Sequence, residues 1–251
     1  MSPTMVGILG ILIMLVIFLT RMSVAYVMAM VGVVGFGILI SFDASFNLLS
    51  RSIYSTFSSY DLTTIPLFIL MGQIAFNSGI SRRLYNTAYK FLGNIRGGLA
   101  MATVSSCTAF GAVCGSSPAT ASIMTTVGMP EMRRYNYTDD LAAGSVASGG
   151  GLGMIMPPSV VLIIYGVMTE QSIGALFVAG ILPAILLTIL FIICIYITCF
   201  LSPEKGPAGE KFSWAAKLQS LTGLIDTLIV FLLSIGGLFY GFFSPTESAA
   251  V

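Results

Sequence analysis

The sequence predicts an all-α polytopic membrane protein with a re-entrant helical hairpin and a discontinuous transmembrane helix. Three observations carry this. First, 56% of the 251 residues are hydrophobic and only 8% are charged, with a mean hydropathy of +0.97. Soluble domains carry about 25% charged residues. Second, the uncharged stretch Gly97–Pro130 (GGLAMATVSSCTAFGAVCGSSPATASIMTTVGMP) is interrupted by Gly115-Ser116-Ser117-Pro118, which is turn chemistry. Inside a bilayer such a turn is tolerated only when buried in protein or lining a wet cavity. Third, the apolar stretch 141–169 contains SGGGLGMIMPPS at 148–159. Its prolines each remove a backbone donor, and Pro158 pushes Pro157 out of helical geometry.

Taken in order, the chain starts with candidate spans at 3–20 and 22–41. A bilayer core takes about 20 apolar residues as a helix. The first run and Ser23-Val24-Ala25 resemble a signal peptide, but Arg21 follows the apolar run. A cleavable signal has the opposite order, so the run is read as a span with its N-terminus outside. Semi-polar residues 42–61 suit a short interfacial helix or loop, and 62–80 form the third span. Residues 81–96 place Arg82, Arg83, Lys90 and Arg96 among Leu84, Tyr85, Tyr89, Phe91 and Leu92, an amphipathic arm along the membrane surface. The hairpin 97–130 follows, then the broken helix 140–169, a span at 173–201, a soluble-looking loop at 202–219 and a span at 220–243. This divides the chain into 1–61, a core at 62–219, and 220–251.

The basic residues test the topology. If 97–130 crosses once, Arg21, Arg82, Arg83, Lys90 and Arg96 oppose Arg51, Arg133, Arg134, Lys205, Lys211 and Lys217, five against six. If it enters and leaves by one face, ten basic residues share a side and only Arg51 opposes them. The second arrangement obeys the positive-inside rule, and 97–130 is too short for two full spans. Both hairpin feet are therefore expected on the cytoplasmic side.

Local chemistry places the breaks. Gly115 suits the left-handed position past a helix end. Ser117 suits an N-cap and Pro118 the first helical position. The second half-helix would point free N–H groups into the membrane, and freed carbonyls and hydroxyls would supply oxygen ligands. The next helix is expected to run to about 149, cross irregularly, and resume from Pro158 to Met168. Two adjacent broken elements are the strongest sequence pointer to a transporter binding site.

Several chemistries are excluded or weakened. The chain has no histidine, which removes Ser-His-Asp and Cys-His catalysis and imidazole ligands. No G-x-S-x-G elbow accompanies Ser116-Ser117, so no enzyme activity is expected. Cys107, Cys114, Cys194 and Cys199 form no CxxC and read as packing residues. A net charge of +1 gives no basis for a nucleic-acid partner. Gly111/Gly115 and Gly149/Gly153 match the GxxxG packing pattern, and the intervening Ser and Thr residues can bond their own helix carbonyls. Asp226 reads as interfacial or ion-paired, Asp139-Asp140 with Arg133-Arg134 as a solvated turn, and Pro183 as a kink.

GGLAMATVSSCTAFGAVCGSSPATA, GGGLGMIMPPSVVLIIYGVMTEQSIGALFVAGILP and GFFSPTESAAV together resemble the large membrane subunit of TRAP transporters, the DctM family. The resemblance implies an elevator-type secondary carrier of the ion transporter superfamily, built from two inverted repeats. It implies import of an organic acid, such as a C4-dicarboxylate or sialic acid, coupled to sodium across the bacterial inner membrane. The implied partners are the lipid bilayer, a small four-helix membrane subunit and a periplasmic substrate-binding protein. No cofactor is implied beyond sodium as coupling ion.

Carried onto this chain, the sodium site falls on Ser116, Ser117, Gly153, Met156 and Pro158. Gly115, Gly149, Gly150 and Gly151 are its possible neighbours. The small carboxylate substrate falls on Ser117, Thr120 and Ser159. The resemblance also implies that these residues carry the first repeat and the opening of the second. The competing readings are a permease or channel subunit not driven by sodium, and a non-transporting membrane scaffold.

Overall fold

The structure, a computed structural model, describes residues 2–250. Those residues are helical, with no strand among them. They divide into two compact units, Met1–Ser59 and Tyr60–Val251.

The first unit holds α1 (Pro3–Phe18), α2 (Val24–Leu39) and α3 (Phe42–Phe57). Ser2 caps α1 by accepting the Met5 N–H, and Ser41 caps α3 by accepting the Ala44 N–H. Residues 42–57 thus form a full helix. The Ser45 hydroxyl donates to the Val33 carbonyl at 2.7 Å and ties α3 to α2.

The second unit opens with a 3-10 turn (Asp61–Thr63), α4 (Thr64–Asn77) and α5 (Ile80–Leu92). Gly79 sits between α4 and α5 at φ +77°, and the two axes bend by 64°. The helix α5 is amphipathic as the sequence predicts: Ile80, Leu84, Tyr85 and Thr87 are buried while Arg82 and Arg83 are exposed. Next come α6 (Gly98–Cys114) and α7 (Ser117–Arg134), a helical hairpin, then α8 (Asp139–Leu152), α9 (Val160–Thr169) and α10 (Ile173–Leu201). The last long helix, α11 (Trp214–Phe239), carries a 3-10 turn at Thr222–Leu224 and a π turn at Leu232–Gly236. A short α12 (Pro245–Ala250) follows.

By length and composition, α10 and α11 are apolar and long enough to cross a membrane, and α4 with α5 qualifies as a bent pair. The apolar helices α1, α2, α6 and α9 are shorter. Pro183 lies inside an uninterrupted α10.

Two predicted boundaries move. The helix α7 continues through Pro130 to Arg134: one proline removes one i→i−4 bond, and the neighbouring turns carry the helix across an exposed position. The glycine run Gly149–Gly151 lies within α8 rather than in the break. Glycine is a poor helix former, but here it lets backbones close. A Cβ at Gly149 would lie 2.9 Å from Cys107 Sγ, and one at Gly150 would lie 2.6 Å from Ala121 Cβ. Packing of small residues outweighs the propensity cost.

The centre of the unit is α6, with 15 of its 17 residues buried. It contacts α5, α7, α8 and α10. Its hydroxyls turn inward on its own backbone: Thr103 donates to Leu99, Ser105 to Met101, Ser106 to Ala102 and Thr108 to Val104. A Cβ at Gly111 would lie 2.7 Å from the Gly153 Cα, so the helix meets the start of the α8–α9 break backbone to backbone.

The loop 202–213 is bonded rather than free. The Gly97 N–H donates to Gly206 O at 2.9 Å, Thr138 N–H to Lys205 O at 3.1 Å and Gly209 N–H to Gly93 O at 2.7 Å. Tyr135 donates its hydroxyl to Glu210 at 3.0 Å. One loop therefore holds the end of α5 and both feet of the hairpin. Farther along, Arg83 pairs with Asp226 at 2.5 Å, with half-exposed side chains, which realises the ion-pair reading of Asp226. Arg133 pairs with Asp139 at 3.0 Å in an exposed turn.

Two outcomes are expected. Gly111→Val forces α6 away from the break and lowers stability by about 1–3 kcal/mol, as overpacking does; an unchanged thermal midpoint in detergent would show that the two backbones do not touch. Asp226→Asn loses only a half-exposed pair worth ~1 kcal/mol or less, so its melting curve should nearly overlay that of the parent.

Candidate functional site

The hairpin tip and the α8–α9 break lie against each other and form the candidate site. At the tip, Gly115 is left-handed (φ 62°) and closes α6 through its N–H to Gly111 O. The N-cap of α7 is Ser116 (φ −132°, ψ 121°), and Ser117 is already helical. The expected cap is thus displaced by one residue. Proline fits anywhere in the first turn because those N–H groups lack intrahelical acceptors, so Pro118 does not fix the register. The Thr120 N–H closes the first turn on Ser116 O at 3.0 Å. The N–H groups of Ser117 and Ala119 are left at the positive end of the helix dipole. The side chain of Ser116 makes no cap bond.

The break starts at Gly153. Short turns fold the chain there: Gly153 N–H to Gly150 O, Met154 N–H to Gly151 O, and Met156 N–H to Leu152 O. The helix α9 starts from Ser159, which accepts the Leu162 N–H at 3.3 Å and donates its hydroxyl to Met154 O. Ser159 is buried, and this local staple uses its hydroxyl in both senses. Among the described residues, no hydrogen bond ends on the carbonyls of Gly153, Met156 or Pro158. Gly180 of α10 backs the break, since a Cβ there would lie 2.9 Å from Ile155 O.

Tip and break meet directly. The Val160 N–H donates to Gly115 O at 3.3 Å, and a Cβ at Gly115 would collide with the Pro158 carbonyl. A Cβ at Gly153 would lie 2.6 Å from Thr120 Oγ1. Thr120 is fully buried and its hydroxyl has no partner. A buried, unpaired hydroxyl costs about 1–3 kcal/mol, a state that Thr120 shares with Tyr85, Thr138 and Thr227; of these, Thr120 is the one at the meeting of tip and break.

The predicted residues therefore separate. Gly115, Thr120, Gly153 and Pro158 come together. Ser116 and Ser117 lie half-buried on the same turn, with hydroxyls free of hydrogen bonds, and Met156 is half-buried in the break. Gly149 and Gly150 pack on α6 and α7, and the carbonyls of Gly150 and Gly151 accept bonds from the break. The direct pairing of Thr120 with Gly153 was not foreseen; a threonine one turn past a capping serine, opposite a glycine, was its only trace. The donors present are neutral oxygens and helix N–H groups. Among the described residues no group of three acidic, cysteine or histidine side chains could hold a metal.

Residues 11–251 match the family described as "Tripartite ATP-independent periplasmic transporter, DctM component". The chain is 38% identical over 203 residues to the C4-dicarboxylate TRAP transporter large permease protein DctM of Pseudomonas aeruginosa, covering 81% of this chain and 47% of that protein. It is 32% identical over 223 residues to the ectoine TRAP transporter large permease protein TeaC of Halomonas elongata, covering 89% and 52%. It is 33% identical over 209 residues to the sialic acid TRAP transporter large permease protein SiaM of Vibrio cholerae, covering 82% and 48%. The chain spans about half the length of these curated relatives, which are permease subunits of transporters and not enzymes. With nearly its whole length matched, the chain belongs to the DctM component family of the tripartite ATP-independent periplasmic transporters.

Proposed function

We propose that this chain forms the first repeat of an elevator-type large permease subunit that imports an organic acid by sodium coupling. Its partners are a periplasmic substrate-binding protein and a small four-helix membrane subunit. The relatives named for C4-dicarboxylates, ectoine, sialic acid and isethionate support a class of small organic acids rather than one member of it.

One observation carries the reading: the unpartnered Thr120 hydroxyl buried against Gly153 where tip and break meet. Sodium takes neutral oxygens from unwound backbone, whereas a carboxylate takes N–H groups at a half-helix N-terminus. The ion is assigned to Ser116, Ser117 and the carbonyls of Gly153, Met156 and Pro158. Thr120 serves the ion through its hydroxyl and lies under the carboxylate, which meets the α7 N-terminus at Ser117. Ser159 holds the break in shape below the substrate. Sodium would bind tip and break together and so complete the anion site.

The re-entrant topology, with cytoplasmic hairpin feet and a periplasmic N-terminus, gains support from the loop 202–213. That loop bonds both feet and gathers Arg96, Arg133 and Lys205 at one end, which agrees with the positive-inside rule.

In the complete transporter, Ser117→Leu should abolish sodium-dependent uptake at normal expression; unchanged uptake sinks the tip assignment. Thr120→Val keeps shape and removes one oxygen. It should raise the sodium concentration for half-maximal uptake about ten-fold, the scale of one bond to a charged group. An unaltered sodium dependence would remove Thr120 from the ion site. Collapsing the sodium gradient while ATP remains should stop uptake; continued uptake would favour a permease driven otherwise.

A further inference from the structure

Two residues of α6 escape full burial, Ser105 and Ala109. They lie four apart, on one face. They floor a groove of 410 Å³ whose walls include Leu84 and Phe91 of α5 and Leu221 and Leu224 of α11. Ala109 is about 16 Å along α6 from Gly98 at 1.5 Å per residue, so the groove reaches well below the level of the hairpin feet.

The lining is apolar in its chemistry, not only in its composition. The Ser105 hydroxyl donates to Met101 O at 2.9 Å and the Ser106 hydroxyl to Ala102 O at 2.6 Å. Thr87 donates to Arg83 O and Ser220 O, at 2.9 and 2.8 Å. With every side-chain hydroxyl on the wall engaged, the groove has no free side-chain donor for a polar ligand, and it suits a hydrocarbon chain.

The rim is different. Lys217 Nζ stands 5.8 Å above the Phe91 ring and 5.1 Å above the Trp214 ring. Phe91 belongs to the groove wall, and Trp214 is 73% exposed. Among the described residues Lys217 forms no ion pair, and Asp226, farther along α11, is taken by Arg83. An ammonium held by two rings beside an exposed tryptophan is the arrangement found at headgroup level.

We propose that this groove is a lipid site. It holds an acyl chain of an anionic phospholipid whose phosphate meets Lys217. The charge complementarity at the rim selects the occupant, since the phosphate of a zwitterionic lipid already carries its own ammonium, which repels Lys217, and an uncharged protein segment offers it no anion. The site lies between the arm α5 and the hairpin helix α6, so its occupancy bears on how the two move past each other. It does not depend on which ion or acid the permease carries.

The test is native mass spectrometry of the complete permease after reconstitution in nanodiscs of equal phosphatidylglycerol and phosphatidylcholine. The wild type should retain phosphatidylglycerol preferentially. Ala109→Phe, which fills the groove, should remove that adduct. Lys217→Gln should lower the preference about five-fold, the scale of one basic contact to an anionic lipid. Equal retention of both lipids by the wild type would overturn the proposal, as would an unchanged adduct in folded Ala109→Phe. If Ala109→Phe does not fold, Lys217→Gln decides: an unchanged preference overturns the site.

Discussion

The second unit depends on one close approach, that of α6 to the start of the α8–α9 break at Gly111 and Gly153. No side chain stands between the two backbones. Apolar side chains gain nothing by leaving lipid, so association in a bilayer rests on close packing of small surfaces. That contact places the tip and the break side by side. It lets two interruptions that would be prohibitive in lipid shelter one another.

The surrounding elements extend the same device. Gly72 of α4 faces the Cys114 Cα, where a Cβ would lie 3.1 Å away, and Gly180 of α10 faces Ile155 O. Glycines on α4, α6 and α10, together with Gly153 in the break, thus converge on one polar seam. Around the seam the hydroxyls of α6 bond their own helix, so its remaining polar capacity is concentrated at the tip. The buried Ser234–Ser248 pair, with oxygens 2.9 Å apart beside the π turn, and the Thr64–Thr246 pair at 2.9 Å are satisfied internally. They fasten α12 to α11 and α4.

Most of the fold was legible in the sequence because the bilayer makes the rules strict. Charge exclusion marked α10 and α11, which are long and apolar enough to cross a membrane, and Gly115 marked the turn between α6 and α7. What was illegible depends on tertiary packing. Gly149–Gly151 read as a break but are helical, because Cys107 and Ala121 fill the space beside Gly149 and Gly150. Pro118 could not set the first residue of α7, since a first-turn proline is compatible with more than one register. The meeting of Thr120 with Gly153 joins residues on two helices, and no local pattern announces it. The loop 202–213 looked soluble because its bonding uses main-chain groups, which composition does not reveal.

That loop has a mechanical consequence. A helical hairpin can open like tweezers, pivoting at its tip while the legs spread, or like a flap, pivoting at its base. Spreading the legs here would pull Gly97 and Thr138 apart and break main-chain bonds to Gly206 and Lys205 at the same moment. The base is clamped by main-chain bonds, while the far end is held by the Val160–Gly115 bond and by close glycine packing. The two ends of the hairpin thus resist displacement by different means, bonded loop at one end and interlocked backbone at the other.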